Sequence, residues 1–293
     1  MVTLIGKPNV GKSTLLNTIV GQKVSIVSNK PQTTRKRVIG ILTTEEYQIA
    51  FIDTPGVHDA HTQLGRVMVD QVRQSLSDID VIVYVADGSH HPGEADKQIA
   101  ELVKRSGLKV PILLCMNKMD HLKAEDVERN VDAYLSILSL SQDDFMMTTA
   151  TRGHNVDKLV DLIASRLPEG EMLFPEDEFT NQSSRFMAGE LVREKILHAT
   201  RQEVPYSVAV MINEWPEDEK GLLTITADIL VEKASQRGIL IGKQGQFLKA
   251  IGTEARAEIQ QLLERKIYLQ LHVRVAEDWR QNRRILHELE IAE

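Results

Sequence analysis

The sequence contains only one cysteine, Cys115, among 293 residues, which excludes an intramolecular disulfide and fits a reducing compartment. No apolar run approaches the roughly 20 residues that a membrane-spanning helix needs. No basic segment precedes Val2–Ile5, so we expect no secretory signal peptide. Basic residues are not in excess, because 35 Lys and Arg stand against 42 Asp and Glu. Contact with nucleic acid would therefore require a local basic surface.

The first part of the chain, residues 1–167, alternates apolar runs with amphipathic helical stretches, and the length of the chain favours two domains. The continuously apolar runs 81–86 and 112–116 are typical of strands buried on both faces of a parallel sheet. Residues 38–43 and 47–52 flank a short polar turn and predict an antiparallel hairpin. We expect an α/β domain with a mostly parallel sheet.

An acidic segment with two prolines and a glycine, residues 168–184, interrupts this pattern and is interpreted as a linker. The following part, residues 185–293, predicts a small α+β domain in the order helix, strand, strand, helix, helix, strand. The clearest predicted elements there are helices over 186–200 and 246–264 and strands over 208–212, 223–231 and 267–275.

Residues 6–13 read Gly-Lys-Pro-Asn-Val-Gly-Lys-Ser, which matches the phosphate-binding P-loop pattern between a strand and a helix. Glycines allow backbone N–H groups to surround a phosphate, and the helix N-terminus adds positive charge. We expect Lys12 to reach the β and γ phosphates and Ser13 to bind Mg²⁺. A ligand-free glycine-rich turn is the alternative. The nucleotide-binding residues predicted here are Gly6, Lys7, Pro8, Asn9, Val10, Gly11, Lys12, Ser13 and Thr14.

The tetrapeptide 53–56, Asp-Thr-Pro-Gly, follows a predicted strand. A carboxylate at that strand end is placed to hold Mg²⁺ through water, and Gly56 leaves its amide free to sense a γ-phosphate. An ordinary Asp-Pro-Gly turn is the alternative. Nucleotide-binding roles are predicted for Asp53, Thr54, Pro55 and Gly56.

The tetrapeptide 117–120, Asn-Lys-Met-Asp, follows the next apolar run. The Asp120 carboxylate can accept from the ring N–H and exocyclic amine that guanine presents side by side, a pair of donors that adenine lacks. Asn117 is expected to brace the loop and Lys118 to cover the base, although such tetrapeptides are more often caps or turns. A weaker pattern, Thr149, Ala150 and Thr151, predicts backbone contact with the guanine oxygen.

Thr33 and Thr34 lie in a polar loop. A hydroxyl there could close onto Mg²⁺ and the γ-phosphate and so order the loop when GTP is bound. A solvated Thr pair is the alternative. All these segments lie at or beside the carboxyl ends of predicted strands, where open α/β sheets bind ligands. In this order they resemble the GTPase superfamily, with a Ras-like P-loop domain.

The residue after the 53–56 tetrapeptide is Val57, where Ras-type GTPases have a water-orienting glutamine. We therefore expect slow intrinsic hydrolysis, or a further group that completes the site. Asn9 matches the asparagine with which potassium-activated relatives hold K⁺, although it is equally a turn residue. Catalytic roles are predicted for Lys12, Asn9 and Thr34. His58 and His61, which follow the 53–56 tetrapeptide, are interpreted as solvated loop residues, with a general base as the alternative. His90 and His91 are interpreted as loop residues rather than metal ligands.

The segment 238–249 carries a Gly-x-x-Gly turn between two helical stretches and resembles the core of a type II KH domain. Such a turn lets single-stranded RNA approach the backbone, while basic side chains attract its phosphates. A structural helical hairpin is the alternative, and the cluster Arg280, Arg283 and Arg284 is interpreted as a solvated helix face. The predicted RNA-binding residues are Arg237, Gly242, Lys243, Gln244, Gly245 and Lys249.

Across essentially its whole length the chain resembles the Era family of GTPases, including at Gln32–Arg35, Phe174–Asp177 and Pro205–Val208. Thr149 departs from the usual serine of the family. The resemblance implies GTP and Mg²⁺ as ligands, with K⁺ as a further candidate. It implies a cytoplasmic, bacterial-type protein that binds the 3′ end of small-subunit (16S) ribosomal RNA in 30S assembly. Peripheral association with the inner face of the plasma membrane is also implied, and we expect a monomer.

Three functional hypotheses are consistent with these motifs. The first is a GTPase switch that controls RNA binding. The second is an RNA-binding module that its nucleotide site merely stabilises. The third is a metabolic P-loop ATPase or kinase, which tight ATP binding would favour.

Overall fold

The computed structural model describes residues 1–56 and 62–292, which form two compact units. The first unit comprises residues 1–25, 34–56 and 68–181. The second comprises residues 26–33, 62–67 and 182–292. Within the ranges described, none of the helices has both the length and the apolar character needed to cross a membrane.

The first unit contains a six-stranded sheet. Its strands are β1 (Val2–Ile5), β2 (Val38–Thr43), β3 (Gln48–Asp53), β4 (Val81–Asp87), β5 (Ile112–Asn117) and β6 (Phe145–Met147). They lie in the order β2-β3-β1-β4-β5-β6, and only β2 runs antiparallel to its neighbour. Every residue of β4 is buried, as expected for a strand covered on both faces. The predicted hairpin and parallel sheet are thereby confirmed.

Helices cover both faces of this sheet. They are α1 (Lys12–Val20), α2 (Gln63–Gln74), α3 (Glu94–Arg105), α4 (Val127–Leu138) and α5 (Val156–Ala164). Successive residues of a strand face opposite sides, so Val83 packs in the core that contains Leu15 and Leu159, from α1 and α5. Tyr84 packs in the opposite core with Ile99, from α3, and with residues of α4. Because the strands other than β2 run parallel, their carboxyl ends lie at one common edge of the sheet.

The segment 168–184, which was predicted as a linker, is partly ordered along the outer edge of β2. The Phe179 carbonyl accepts from the Ile41 N–H at 3.0 Å, and Thr180 Oγ1 donates to the Ile39 carbonyl at 2.8 Å. Because an edge strand exposes unpaired backbone groups, this pairing protects it from other partners. The composition of the segment does not predict the pairing.

The second unit is an α+β domain. Its elements are α6 (Ser184–Ala199), α7 (Val204–Ser207), β7 (Ala209–Glu214), β8 (Leu223–Val231), α8 (Ala234–Ile241), α9 (Gln246–Leu262), β9 (Ile267–Val275) and α10 (Arg283–Glu288). The sheet order is β7-β8-β9, with β7 antiparallel and β9 parallel to β8. The predicted order of helices and strands is confirmed. The short helix α7 was not predicted, whereas α10 contains Arg283 and Arg284, which the sequence analysis assigned to a helix face.

The arginines near the C-terminus do not share one solvated helix face, so that interpretation was wrong for one of them. Arg280 lies in a separate 3-10 turn and pairs with Glu232 at 2.6 Å. Arg283 and Arg284 lie on α10 with exposed side chains. An ion pair between residues far apart in sequence fixes Arg280, which local periodicity cannot predict.

Candidate functional site

The loop between β1 and α1, residues 6–11, is called the phosphate loop below and is built around its glycines. Gly11, the N-cap of α1, has φ +101°, and a Cβ there would lie 2.3 Å from Asn117 Nδ2. A side chain at this position would therefore be strained and would clash. Asn9 also adopts a left-handed conformation, with φ +64°. The loop thus leads directly to the N-terminus of α1, where helical N–H groups and the helix dipole favour an anion.

The Lys12 side chain is buried beneath this loop. Its Nζ donates to the carbonyl of Gly6 at 3.0 Å and to that of Lys7 at 3.2 Å. Burial lowers the pKa of Lys12, and the nearby Asp53 opposes this effect. A desolvated ammonium group held in this way is suited to bind phosphate oxygens.

Three oxygen-bearing side chains meet at the end of β3. Asp53 is fully buried, and its Oδ2 lies 2.6 Å from Ser13 Oγ and 3.5 Å from Thr34 Oγ1, which are 3.0 Å apart. Ser25, which sequence reasoning missed, donates to the same carboxylate at 3.1 Å. Asp53 Oδ1 is buried and has no hydrogen-bond partner among the residues that the structure describes. Oxygen donors with one unsatisfied carboxylate oxygen suit Mg²⁺.

The surroundings of the Asp53 carboxylate disfavour its ionised form. Burial raises the pKa of Asp53, while Lys12 and the neighbouring hydroxyl groups oppose the rise. A divalent cation would stabilise the ionised form. No feature of the sequence pointed to Ser25, because it lies outside every motif.

A second group of polar residues forms at the ends of β4 and β5. Asn117 is 2 % exposed and bridges two loops, because its Nδ2 donates to the Val10 carbonyl and its Oδ1 accepts from the Ala150 N–H, both at 2.9 Å. Lys118 Nζ binds Asp87 Oδ2 at 2.9 Å. Although burial alone would raise the pKa of Asp87, hydrogen bonds from Lys118 and Ser89 hold it below its ordinary value.

These loops enclose a pocket of about 540 Å³. Its lining residues are Gly11, Thr14, Asp87, Ser89, His90, Asn117, Lys118, Asp120, His121, Thr149, Ala150 and Thr151. The Asp120 side chain lines it and is 17 % exposed, with Arg152 at 3.8 Å. Asp87 was missed in the sequence, although an acid that ends a buried strand is the same signal that identified Asp53.

The remaining predicted residues take other positions. Val10 belongs to the hydrophobic core, Thr54 Oγ1 donates to the Leu4 carbonyl at 2.9 Å, and Gly56 lies against Pro8. Within the second unit, Thr33 Oγ1 donates to the Lys30 carbonyl at 2.7 Å, and the Thr33 carbonyl accepts from Arg193. Of the two threonines, only Thr34 therefore has its hydroxyl beside Ser13. Val57, His58 and His61 lie outside the described residues.

The second unit has a groove beside the turn between α8 and α9. Gly242, Gln244 and Gly245 all have positive φ, at +70°, +52° and +76°. The groove, of about 390 Å³, is lined by Gly245, Leu248, Lys249, Gly252, Thr253, Arg256, Leu269 and Leu271. Two of the predicted RNA-binding residues thus line it, whereas Gly242, Lys243 and Gln244 form the turn and Arg237 lies on α8. Arg256 was missed, although it lies two helical turns after Lys249.

Comparison with known proteins agrees with both parts. Residues 1–118 match a family described as a 50S ribosome-binding GTPase, and residues 203–280 match the KH domain. The chain is 44% identical to the GTPase Era of Heliobacterium modesticaldum, covering 97% of this chain and 94% of that protein. It is 43% identical to a GTPase Era of Clostridium botulinum, covering 98% and 96%.

Two solved structures are similar over the whole chain. One is Era in complex with MgGDPNP and nucleotides 1506–1542 of 16S ribosomal RNA, with TM-score 0.95, 40% identity, and coverage of 100% of this chain and 98% of that one. The other is a single-residue variant of Aquifex aeolicus Era bound to GDP.AlF4⁻, with TM-score 0.93 and the same identity and coverage. On these similarities, the chain belongs to the Era family of GTPases.

Proposed function

We propose that this GTPase is a switch that binds the 3′ end of small-subunit (16S) ribosomal RNA and acts in assembly of the 30S subunit. One observation carries the proposal: the chain contains both a guanine-nucleotide pocket and an open KH groove with cationic side chains. The similarity to an Era structure that holds MgGDPNP and 16S ribosomal RNA supports this choice of ligands.

In the proposed reaction, water attacks the γ-phosphorus of GTP and the bond to the β–γ bridging oxygen breaks. The products are GDP, which keeps that oxygen, and inorganic phosphate, with the proton of the water released. Lys12 contacts the β and γ phosphates. The carbonyls of Gly6 and Lys7 hold its ammonium group at the phosphate loop. Ser13, Thr34 and, through water, Asp53 would hold Mg²⁺, which would supply positive charge for the phosphate oxygens. Asp120 accepts two hydrogen bonds from guanine, and Asn117 keeps that loop joined to the phosphate loop.

We further propose that Asn9 holds K⁺ beside the phosphates. The left-handed conformation of Asn9 places this residue at the turn of the phosphate loop. A monovalent cation there would add positive charge beside the phosphates, where charge builds up during hydrolysis. Hydrolysis should therefore be faster in KCl than in NaCl at equal ionic strength, and Asn9→Ala should remove the difference. Equal rates in both salts would refute this role.

In the second unit, the groove combines an apolar floor with a basic rim. Leu269 and Leu271 contribute the floor, while Lys249 and Arg256 add positive charge. Single-stranded RNA places its bases on such surfaces and its phosphates near glycine turns and cations. The predicted binding residues Arg237, Gly242, Lys243, Gln244 and Gly245 surround the same turn.

The experiment is a titration of a fluorescent RNA oligonucleotide with the sequence of the 16S 3′ end. Fluorescence anisotropy gives Kd with a non-hydrolysable GTP analogue and with GDP. The switch proposal predicts tighter binding with the analogue, by about tenfold or more for a coupling of roughly 1.4 kcal/mol. Equal affinity in both nucleotide states would refute control by GTP, and no affinity for this RNA would refute the choice of target.

We propose a cytoplasmic monomer, and light scattering during gel filtration would test the oligomeric state. Peripheral membrane association rests on the family resemblance alone. Co-sedimentation with vesicles containing anionic lipid would test it, and recovery of all protein in the supernatant would count against it.

A further inference from the structure

A buried carboxylate outside the nucleotide motifs contacts the phosphate loop. Lys7 Nζ, in the loop, lies 2.9 Å from Asp96 Oδ2, in the first turn of α3. The Asp96 side chain is 1 % exposed, and that of Lys7 is 25 % exposed. A charge buried to this degree is costly unless it is paired, so the contact restricts both groups.

Asp96 is itself fixed from two further directions. Its Oδ2 also accepts from the Gly93 N–H at 2.9 Å, at the N-cap of α3. The Tyr84 hydroxyl, from β4, donates to the Asp96 backbone carbonyl at 3.1 Å. Burial and the charge of Asp96 raise the pKa of Tyr84, so this hydroxyl remains a neutral donor. The Asp96 carboxylate is therefore held in a fixed position between the sheet and α3.

Lys7 connects the Asp96 carboxylate to Lys12. The Lys7 side chain binds Asp96, while its backbone carbonyl accepts from Lys12 Nζ at 3.2 Å, beside the Gly6 carbonyl at 3.0 Å. The residue that Asp96 restrains is thus one of the two whose carbonyls orient the Lys12 ammonium group. A displaced Lys7 carbonyl would leave that group with a different position or fewer acceptors.

We propose that Asp96 and Lys7 are a pair of positioning residues that set the first turn of the phosphate loop and thereby orient Lys12. The inference rests on the phosphate-binding role proposed for Lys12. It assigns to Asp96, 84 residues after Lys12 in the sequence, an effect on GTP hydrolysis rather than on folding alone.

The test compares Asp96→Asn, Lys7→Met and the double variant with the unchanged chain. The asparagine keeps an acceptor for the Gly93 N–H but removes the charge, and Lys7→Met keeps much of the apolar stem. The turnover number kcat at saturating GTP should fall roughly tenfold to a hundredfold in each single variant, since small displacements of a catalytic group cost this much. The double variant should lose no more than either single one, and Lys7→Arg should retain most of the rate.

Urea unfolding distinguishes a loss of kcat that comes from a displaced Lys12 from one that comes from lower stability of the fold. A matched control is the exposed pair on α3, Arg105 and Glu101, where Glu101→Gln should change neither kcat nor the unfolding midpoint. Unchanged kcat in Asp96→Asn and Lys7→Met would overturn the inference whatever their stability, and so would additive losses in the double variant. If Asp96→Asn does not fold, the partly exposed Lys7→Met still decides. Failure of the unchanged chain to hydrolyse GTP would instead refute the proposed function.

Discussion

Asn117→Ala should separate the two loops that this side chain joins. The amide makes hydrogen bonds of 2.9 Å to the Val10 carbonyl and to the Ala150 N–H, and it accepts from Thr148 Oγ1 at 3.3 Å. Asn117 is almost fully buried, so alanine would leave two buried backbone groups without partners. At about 1–3 kcal/mol for each such group, the loss of stability should be roughly 2–6 kcal/mol. This is a large share of the ~5–15 kcal/mol typical of a domain.

The assay combines urea unfolding with titration of a fluorescent guanine nucleotide. The unfolding midpoint should fall, and affinity for GDP should fall with it, because the base-binding loop is no longer fixed to the phosphate loop. Both effects should appear in the same variant.

Gln48→Ala is the matched control. The Gln48 amide bridges backbone groups in a similar way, with three bonds of 2.9 Å to the backbone of Leu173 and Phe174. It lies at the opposite end of β3 from Asp53, so its loss should lower stability without weakening nucleotide binding. An Asn117→Ala protein with unchanged midpoint and unchanged affinity, or equal losses of affinity in both variants, would refute the reasoning.

Three further predictions concern other parts of the chain. Asp120→Asn should weaken GTP binding by roughly tenfold to a hundredfold, because hydrogen bonds to a charged group are lost, and it should favour xanthosine triphosphate. If calorimetry shows an unchanged nucleotide preference, Asp120 does not select guanine. Gly245→Asp should abolish RNA binding in a filter assay and leave GTP binding intact, whereas Gly107→Asp, also at an open position with positive φ, should leave RNA binding unchanged. Burial raises the pKa of Cys115 to about 12, although a hydrogen bond with Thr148 opposes the rise, so a thiol reagent at pH 8 should label Cys115 only after unfolding. Because the unfolded thiol ionises near pH 8.5, stability should fall above that pH by about 1.4 kcal/mol per pH unit, and Cys115→Ala should lack this loss.

The sequence predicted those features whose cause is local. The runs that became β4 and β5 are apolar throughout because both faces of the sheet are covered, and the motif residues follow strand ends because parallel strands end at one edge. The glycines of the phosphate loop were identifiable for a similar reason, since Gly11 occupies a backbone conformation that other residues rarely adopt.

Features that depend on distant contacts were not predictable in this way. Lys7 and Asp96 are 89 positions apart, and nothing in the spacing of either residue indicates the other. Ser25 reaches Asp53 only because the loop after α1 folds back onto β3. The pairing of Phe179 with β2 likewise arises from an exposed edge, which the composition of an acidic segment does not reveal.

The most direct measurement is isothermal titration calorimetry of the purified protein with GTP and with ATP, each with Mg²⁺ present. If the Asp120 carboxylate selects guanine, GTP should bind at least about a hundredfold more tightly than ATP. Adenine lacks the two neighbouring donors, so the carboxylate would be left without hydrogen-bond partners. Equal affinities for the two nucleotides would contradict the account.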